Sequence, residues 1–190
     1  GAGSAGCIVT NNIINNTNYK VLLIEAGPSD NNPVIQIPLG YGKTFYNKTM
    51  NWNFYSKVQL KLNNREIYYP RGKIIGGSGS INAMIYARGL QSDYKNWNLN
   101  SNWSWENIQA NFKEIEHPVN LENNKLPINK IPVNDVSSQH HSILSNFFRA
   151  SKDFNFNFNK QLKSTAENQV GHYNINTFKG LRYSSAKSFL

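Results

Sequence analysis

The first quarter of the chain predicts a glycine turn, a helix and a buried strand. Residues 1–16, GAGSAGCIVTNNIINN, begin with closely spaced glycines and continue into a short helical pattern. The apolar side of this predicted helix consists of Ile8, Val9, Ile13 and Ile14. Residues 19–27, YKVLLIEAG, form an uninterrupted apolar run that ends in an acidic residue and a glycine. Such a run is typical of a strand that is buried on both faces of a parallel sheet.

The middle of the chain predicts turns followed by a hairpin. Residues 28–57 are rich in turn-forming and aromatic residues and show little regular periodicity. Residues 58–69 alternate between apolar and polar side chains around Asn63 and Asn64. Asn tolerates the positive φ that tight hairpin turns require, so this segment is predicted to be a hairpin.

The second half predicts two amphipathic helices and a strand. Ser104 is a candidate N-cap for the first helix, and the second is predicted over residues 138–153. Their apolar positions are Trp105, Ile108, Phe112 and Ile115 in the first helix, and Ile143, Leu144, Phe147 and Phe148 in the second. A Pro- and Asn-rich connection, residues 117–136, lies between them. Residues 172–178 alternate like a strand, and residues 182–190 begin another helix.

Composition narrows the class of protein. The formal net charge of the 190 residues is +9, but the basic residues are scattered singly, so nucleic acid is not predicted as a partner. The single cysteine, Cys7, allows no intramolecular disulfide and suggests a packed core thiol; no metal site is predicted. No apolar stretch reaches the 18 or so residues of a membrane span. The sequence does not indicate the localisation, for which a cytoplasmic or membrane-peripheral position is only a guess.

A dinucleotide-binding motif opens the chain. Gly1, Gly3 and Gly6 form G-x-G-x-x-G, in which the glycines allow a tight turn, the approach of a pyrophosphate and close packing of the following helix. The start of that helix offers unpaired N–H groups to phosphates. Glu25 follows nineteen residues later, where a carboxylate can bind the hydroxyls of an adenosine ribose and repel a 2′-phosphate. At this level FAD and NAD both remain possible cofactors, and NADP is disfavoured.

Residues 70–89, PRGKIIGGSGSINAMIYARG, carry a more specific signal. This segment resembles the signature of the glucose–methanol–choline (GMC) flavoprotein oxidoreductases. Upstream, residues 21–27 (VLLIEAG), residues 37–44 (IPLGYGKT), Asn51 and Trp52 resemble the choline-dehydrogenase-like branch of this family. The resemblance covers nearly the whole chain, and further matching positions are Asp93, Tyr94, Trp97, Asn102, Trp103, Ser104, Trp105, Gly180, Arg182, Ser184 and Ser185. Gly79 departs from the family pattern, which usually has a second serine there.

The resemblance implies an α/β fold: a Rossmann-like FAD-binding domain of GMC type, joined to the start of an α+β substrate domain. We expect the FAD-binding part at residues 1–100 and a family-specific insert with the start of the substrate domain at residues 101–190, which returns toward the first domain. The chain is expected to be truncated at both ends. Ile81 occupies the position of the flavin-linked histidine of some members, so noncovalent FAD is expected. The expected cofactor-binding residues are Gly1, Gly3, Ser4, Gly6, Glu25, Arg71, Gly76, Gly77, Ser78, Asn82 and Met84.

The resemblance also implies the reaction. In this family an alcohol loses its hydroxyl proton to a histidine base, and its carbon-bound hydride passes to flavin N5, giving an aldehyde. A quinone-type or other electron acceptor, rather than oxygen, is the expected partner. None of the four histidines (His117, His140, His141 and His172) matches the family's base, so no catalytic residue is predicted. Two alternatives remain: a hydroxynitrile lyase on the same fold, and an inactive truncated remnant.

Overall fold

The computed structural model describes residues 1–97, 100–119 and 125–190. The helices, in chain order, are α1 (Ser4–Asn16), α2 (Pro33–Gln36), α3 (Tyr41–Thr44), α4 (Gln91–Asn96), α5 (Trp105–Ile115), α6 (Ile143–Lys152) and α7 (Ser185–Phe189). The strands are β1 (Phe54–Tyr55), β2 (Tyr68–Tyr69), β3 (Ile85–Tyr86), β4 (Glu116–Val119), β5 (Ile131–Asn134), β6 (Asn157–Gln161), β7 (Gln169–His172), β8 (Asn174–Ile175), β9 (Thr177–Phe178) and β10 (Leu181–Arg182). The mixed helix and strand content agrees with the predicted α/β class.

Two units make up the chain: residues 1–84 with 177–190 form the first, and residues 85–176 form the second. The first unit contains two small antiparallel ladders, β1–β2 and β9–β10. The second unit contains a four-stranded sheet of order β3-β8-β5-β4, in which β4 and β5 are parallel, and a separate parallel pair, β6–β7. The domain boundary expected after residue 100 stays a prediction.

The helix α1 forms where the glycine turn predicted it, but the prediction of its buried side was wrong. Val9 and Ile14 are exposed, whereas Cys7 and Thr10 are buried. The reason is that α1 packs against α7, where the Asn11 side chain donates a hydrogen bond to the Phe189 carbonyl.

The buried strand predicted over residues 19–27 is not formed. Residues 19–25 have no assigned helix, strand or turn, and they pair with no strand among the described residues. Leu22 and Ile24 are 84% and 70% exposed. An apolar run becomes a buried strand only when neighbouring strands cover it, and the described parts of the chain supply none.

The hairpin prediction was right at its turn and wrong in one arm. Asn63 and Asn64 have positive φ values of 56° and 55°, as expected for residues in such a turn. An antiparallel bridge joins Gln59 to Arg65, and the β1–β2 ladder continues the pairing. Residues 60–62 form a 3-10 turn instead of a strand.

The second unit confirms the Ser104 cap and corrects three boundaries. The Ser104 hydroxyl accepts a hydrogen bond from the Asn107 N–H at 3.3 Å, at the start of α5. The helix predicted from residue 138 begins five residues later, and its Ile143 and Phe147 side chains are exposed. The connection predicted at 117–136 instead contains most of β4 and β5; residues 120–124 lie outside the described residues. The strand predicted at 172–178 is divided among β7, β8 and β9.

An apolar core in the first unit joins α2 to the segment predicted to bind the cofactor. Ile35 and Ile74 are fully buried, Ile81 nearly so, and Met50 packs against them. This contact places both ends of residues 74–81 in the core; between them Gly76 and Gly77 are buried and Gly79 is half-buried. No helix in the described parts of the chain is long and apolar enough to cross a membrane.

Candidate functional site

The glycine turn at the start of the chain is built for close backbone contact. A Cβ at Gly6 would overlap the Gly1 carbonyl oxygen and lie 3.2 Å from its carbon, so only glycine fits the start of α1. At Gly3 a Cβ would meet no atom within 4 Å. Gly3 is the N-cap of α1 and its backbone is extended, at φ −76°. The turn is therefore tight on one side and open at Gly3.

The start of α1 presents donors at this open side. The first N–H groups of a helix have no partner within the helix, and the aligned peptide dipoles make this end positive. The first intrahelical bond runs from the Cys7 N–H to the Gly3 carbonyl at 3.0 Å. Ser4, the first residue of α1, is exposed and adds a hydroxyl. Donors of this kind suit an anionic group such as a phosphate.

Glu25 lies directly at the glycine turn. Its Oε2 accepts a hydrogen bond from the Ala2 N–H at 2.8 Å, and its Oε1 accepts one from the Gly27 N–H at 3.0 Å. One carboxylate thus joins the turn at the start of α1 to the turn that follows residues 19–25. A carboxylate has about four acceptor positions, so two remain for further donors.

The double glycine of residues 70–89 lies against the same turn. The Gly76 N–H donates to the Ala2 carbonyl at 2.7 Å. Gly76 and Gly77 have φ values of 85° and 58°, in the left-handed region that side chains disfavour. A Cβ at Gly77 would lie 2.7 Å from the Gly3 Cα. Two glycine motifs about seventy residues apart in the sequence therefore meet backbone to backbone.

Of the four remaining predicted residues, two make contacts within their own segment. The Arg71 guanidinium donates to the Pro70 carbonyl at 2.7 Å and lies over the Tyr69 ring. The Ser78 hydroxyl oxygen accepts a hydrogen bond from the Gly72 N–H at 3.0 Å. The roles of Arg71 and Ser78 in cofactor binding stay predictions.

Asn82 and Met84 form a strained turn beside the glycines. The Asn82 Oδ1 accepts a hydrogen bond from the Met84 N–H at 2.9 Å. Met84 is buried and has a positive φ of 62°, which costs energy for a residue with a side chain. Asn82 is exposed, so its amide lies at the surface of the turn.

Sequence reasoning missed the role of Arg182 in this arrangement. Its side chain is 1% exposed, and it donates to the Ile35 carbonyl at 2.9 Å and to the Gly79 carbonyl at 3.0 Å. It also donates to the Asn82 Oδ1 at 2.8 Å and to the Asn82 carbonyl at 2.6 Å. The sequence showed that Arg182 matches a family position, but it did not predict its hydrogen-bond partners, because they lie 100 or more residues away in the sequence.

The Arg182 guanidinium is a buried charge that is satisfied by neutral oxygens. Burial lowers its pKa to about 10, so it remains protonated at neutral pH. Among the described residues no carboxylate forms an ion pair with it; the two described pairs are Arg88–Glu116 and Lys160–Asp135. Burying an ion costs several kcal/mol unless its hydrogen bonds are complete. Its carbonyl and amide partners therefore have to be held in place.

The departure from the family pattern lies beside α1. A Cβ at Gly79 would be 3.0 Å from the Ser4 Oγ and 3.9 Å from the Ser185 Oγ. The first of these distances is tighter than an ordinary carbon–oxygen contact. Glycine at this position therefore leaves the Ser4 hydroxyl room to rotate, which a serine side chain would restrict.

The second unit has a cavity of its own. Its volume is about 550 Å³, its lining includes Tyr86, Arg88, Lys163, His172 and Asn174, and none of the eleven predicted cofactor residues lines it. The neighbouring Arg88 Nε donates to the Glu116 Oε1 at 2.7 Å, and the Tyr86 hydroxyl also bonds to Glu116. Burial and this hydrogen bond raise the pKa of Tyr86, which stays neutral.

The four histidines all lie in the second unit. The rings of His140 and His172 are 4.7 Å apart, and the His141 Nδ1 accepts a hydrogen bond from the Ile143 N–H at 3.2 Å. The His117 Nε2 is buried without a hydrogen-bond partner among the described residues. Across the described ranges no three or more His, Cys, Asp or Glu side chains are grouped as a metal site would require. The absence of a catalytic residue stays a prediction.

The site has the features of a dinucleotide-binding protein. These are a glycine turn at a helix start, an acidic residue after the next segment, and a second glycine pair packed against the turn. Comparison of the chain with models of known protein families identifies the family. The GMC oxidoreductase family model matches residues 1–190, and the chain belongs to this family. The resemblance inferred from the sequence is thereby confirmed.

Curated relatives match the chain over its whole length. It is 36% identical over 194 residues to an alcohol dehydrogenase [acceptor] from Pseudomonas putida, and 32% identical over 192 residues to an oxygen-dependent choline dehydrogenase from Rhizobium etli. Both alignments cover 100% of this chain and 35% of the relative. The chain thus spans about a third of the length of these relatives.

Solved structures show the same fold. Pyridoxine 4-oxidase from Mesorbium loti superposes with a TM-score of 0.87 at 24% identity, over 100% of this chain and 38% of that one. Formate oxidase from Aspergillus oryzae RIB40, in a structure on FAD modification, gives a TM-score of 0.83 at 20% identity, over 98% and 35% of the two chains. These similarities support the fold class.

Proposed function

We propose that residues 1–190 are the FAD-binding part of an enzyme that oxidises alcohol CH–OH groups. The observation that carries this proposal is the meeting of two glycine motifs, with Gly77 so close to Gly3 that a Cβ would lie 2.7 Å from its Cα. Close backbone contact next to the open start of a helix is what a dinucleotide pyrophosphate requires. Family membership and the FAD-containing structural relatives favour FAD over NAD.

The cofactor contacts divide between two groups of residues. In the proposal the glycine turn and Glu25 bind the adenosine and pyrophosphate, while the second motif binds the flavin side. The first group is Gly1, Gly3, Ser4, Gly6 and Glu25; the second is Arg71, Gly76, Gly77, Ser78, Asn82 and Met84. Ile81 is 4% exposed within the apolar core, which supports noncovalent rather than side-chain-linked FAD.

The reaction follows from the relatives. One is named an alcohol dehydrogenase [acceptor] and another a choline dehydrogenase, so alcohol oxidation is the supported chemistry. Bound FAD supplies the two-electron acceptor for the carbon-bound hydride of the alcohol. This chain's part is to bind and orient that cofactor, and we assign it no proton-accepting residue. We propose a small alcohol substrate and a separate electron acceptor. The relatives give no support to the hydroxynitrile lyase alternative.

The cofactor proposal is tested by titrating the purified protein with FAD and, separately, with NAD. FAD is expected to bind more tightly. Glu25→Gln is expected to weaken FAD binding about tenfold, since a charged acceptor of hydroxyl groups contributes on the order of 1.5 kcal/mol. Glu66→Gln is the matched control, because Glu66 is an exposed carboxylate of the same unit and makes the same change of charge. Tighter NAD binding, or equal effects of both variants, would contradict the proposal.

The reaction is tested by anaerobic addition of primary alcohols to the FAD-loaded, full-length enzyme, because residues 1–190 have no assigned proton acceptor and are expected to be inactive alone. Loss of the visible flavin absorbance, with formation of an aldehyde, is expected. Cleavage of a cyanohydrin without any change in the flavin spectrum would show lyase chemistry instead. A protein that binds FAD but never bleaches with any alcohol would refute alcohol oxidation while leaving the cofactor proposal standing.

A further inference from the structure

A buried arginine controls which hydrogen bonds Asn82 has left to offer. The Asn82 Oδ1 accepts from the Met84 N–H and from the Arg182 Nη1, at 2.9 Å and 2.8 Å. A carbonyl oxygen has two lone pairs, so this acceptor is fully used. Among the described residues nothing accepts a hydrogen bond from the Asn82 Nδ2, and the residue is exposed. The Asn82 side chain is therefore a donor only.

Arg182 also fixes the backbone that carries this donor. Its Nη2 bonds the Asn82 carbonyl, its Nη1 also bonds the Gly79 carbonyl, and its Nε is anchored on the Ile35 carbonyl in the core. Three backbone oxygens and one side-chain oxygen thus converge on one planar cation. The fork of five N–H groups on a guanidinium suits such an arrangement, and the three N–H groups of an ammonium do not.

The charge has a second effect on the same amide. A hydrogen bond from a cation to the Oδ1 draws electrons through the amide and strengthens its N–H groups as donors. The oxidised flavin ring system carries ring nitrogens and carbonyl oxygens that accept hydrogen bonds. A strengthened donor in the second glycine motif matches those acceptors.

We propose that Arg182 is a positioning residue for the cofactor: it occupies the Asn82 Oδ1 and holds the Asn82 Nδ2 ready as a donor to FAD. This inference rests on the proposed FAD function. It differs from the expectation drawn from the sequence, in which the Asn82 amide could both donate and accept. Arg182 acts here through Asn82 and needs no contact with the cofactor.

Two substitutions of Asn82 separate positioning from stability. Asn82→Asp keeps an oxygen for both Met84 and Arg182 and adds an ion pair, but removes the donor. The cofactor-free variant is expected to melt at or above the temperature of the unmodified protein, yet to bind FAD about tenfold more weakly. Asn82→Ala loses acceptor and donor together, so both melting temperature and FAD affinity fall. Opposite shifts in melting temperature with the same loss of affinity are the signature of a donor role.

Arg182→Lys and Asn64→Asp complete the set. Arg182→Lys retains the charge but not the fork, so we expect weaker FAD binding and a shifted visible flavin spectrum. Asn64 lies exposed at a hairpin tip with φ 55°, and Asn64→Asp makes the same change of charge as Asn82→Asp away from the glycines. It should leave FAD affinity unchanged, and the Asn82→Asp loss should persist at high salt.

The outcomes separate this inference from the function on which it rests. If the unmodified protein binds FAD and Asn82→Asp binds it equally well, the donor role is refuted and the proposed function stands. If FAD affinity simply follows melting temperature across all variants, Arg182 is structural only. If the unmodified protein binds no FAD, the proposed function fails, and the role assigned to Arg182 fails with it.

Discussion

Replacing Gly3 or Gly6 by alanine separates the two tasks of the glycine turn. At Gly3 the new methyl group would meet no atom within 4 Å, and the φ of −76° suits alanine. We therefore expect Gly3→Ala to raise the free energy of unfolding of the cofactor-free protein by less than about 1 kcal/mol, because the unfolded chain loses conformational freedom. At Gly6 the methyl group would overlap the Gly1 carbonyl oxygen, which should cost about 1–3 kcal/mol.

The effect on the cofactor should be reversed. The open space at Gly3 is where we place the pyrophosphate, so the methyl group of Gly3→Ala should weaken FAD binding about tenfold to hundredfold, or roughly 1.4–2.8 kcal/mol. Gly6→Ala should lose affinity only as far as its fold is weakened. Denaturant unfolding of the cofactor-free proteins and FAD titration measure the two quantities separately. A Gly3→Ala protein with unchanged FAD affinity would refute the placement of the pyrophosphate.

Three further predictions concern packing and charge. Gly77→Ala should destabilise the fold by about 2–5 kcal/mol, because the new methyl group overlaps the neighbouring turn and the residue must also keep a positive φ. Gly180 also has a positive φ but lies in open space, so Gly180→Ala should cost only about 1–2 kcal/mol. Similar losses for the two variants would contradict the packing argument. Glu116→Gln should cost about 1–3 kcal/mol because it breaks a largely buried ion pair, whereas Lys160→Ala, in an exposed pair, should cost less than about 0.5 kcal/mol by thermal unfolding. Burial and the nearby negative charge of Asp30 raise the pKa of Cys7. Its thiol should therefore react with alkylating reagents only when the protein unfolds. Rapid labelling of the folded protein would show instead that α1 opens.

Local signals in the sequence predicted local structure well. Ser104 caps α5 because its hydroxyl and the N–H it satisfies lie three residues apart. The positive φ values of Asn63 and Asn64 follow from their own tolerance of that conformation. The glycine spacing predicted the turn before α1, because the close approach at Gly6 involves a residue only five positions earlier.

Features that depend on distant partners could not be predicted in the same way. The side of α1 that is buried depends on its contact with α7, at the other end of the sequence. The apolar residues of α1 alone therefore did not predict which side that is. The apolar run at residues 19–25 has the composition of a buried strand, but burial requires neighbouring strands. The roles of the two glycine motifs were predicted separately, whereas their contact, and the bonds from Arg182, are properties of the folded chain.

The bonds made by Arg182 also set a time at which the first unit can be completed. Arg182 and Ile35 are 147 residues apart, and at about 5–20 residues per second a ribosome needs on the order of 7–30 s to add the residues between them. During this interval the glycine turn has already emerged, but the carbonyls of Gly79 and Asn82 have no guanidinium to bind. Contacts over such long separations also form slowly. Stable capture of the cofactor by these residues is therefore expected only after the second unit and Arg182 have been translated.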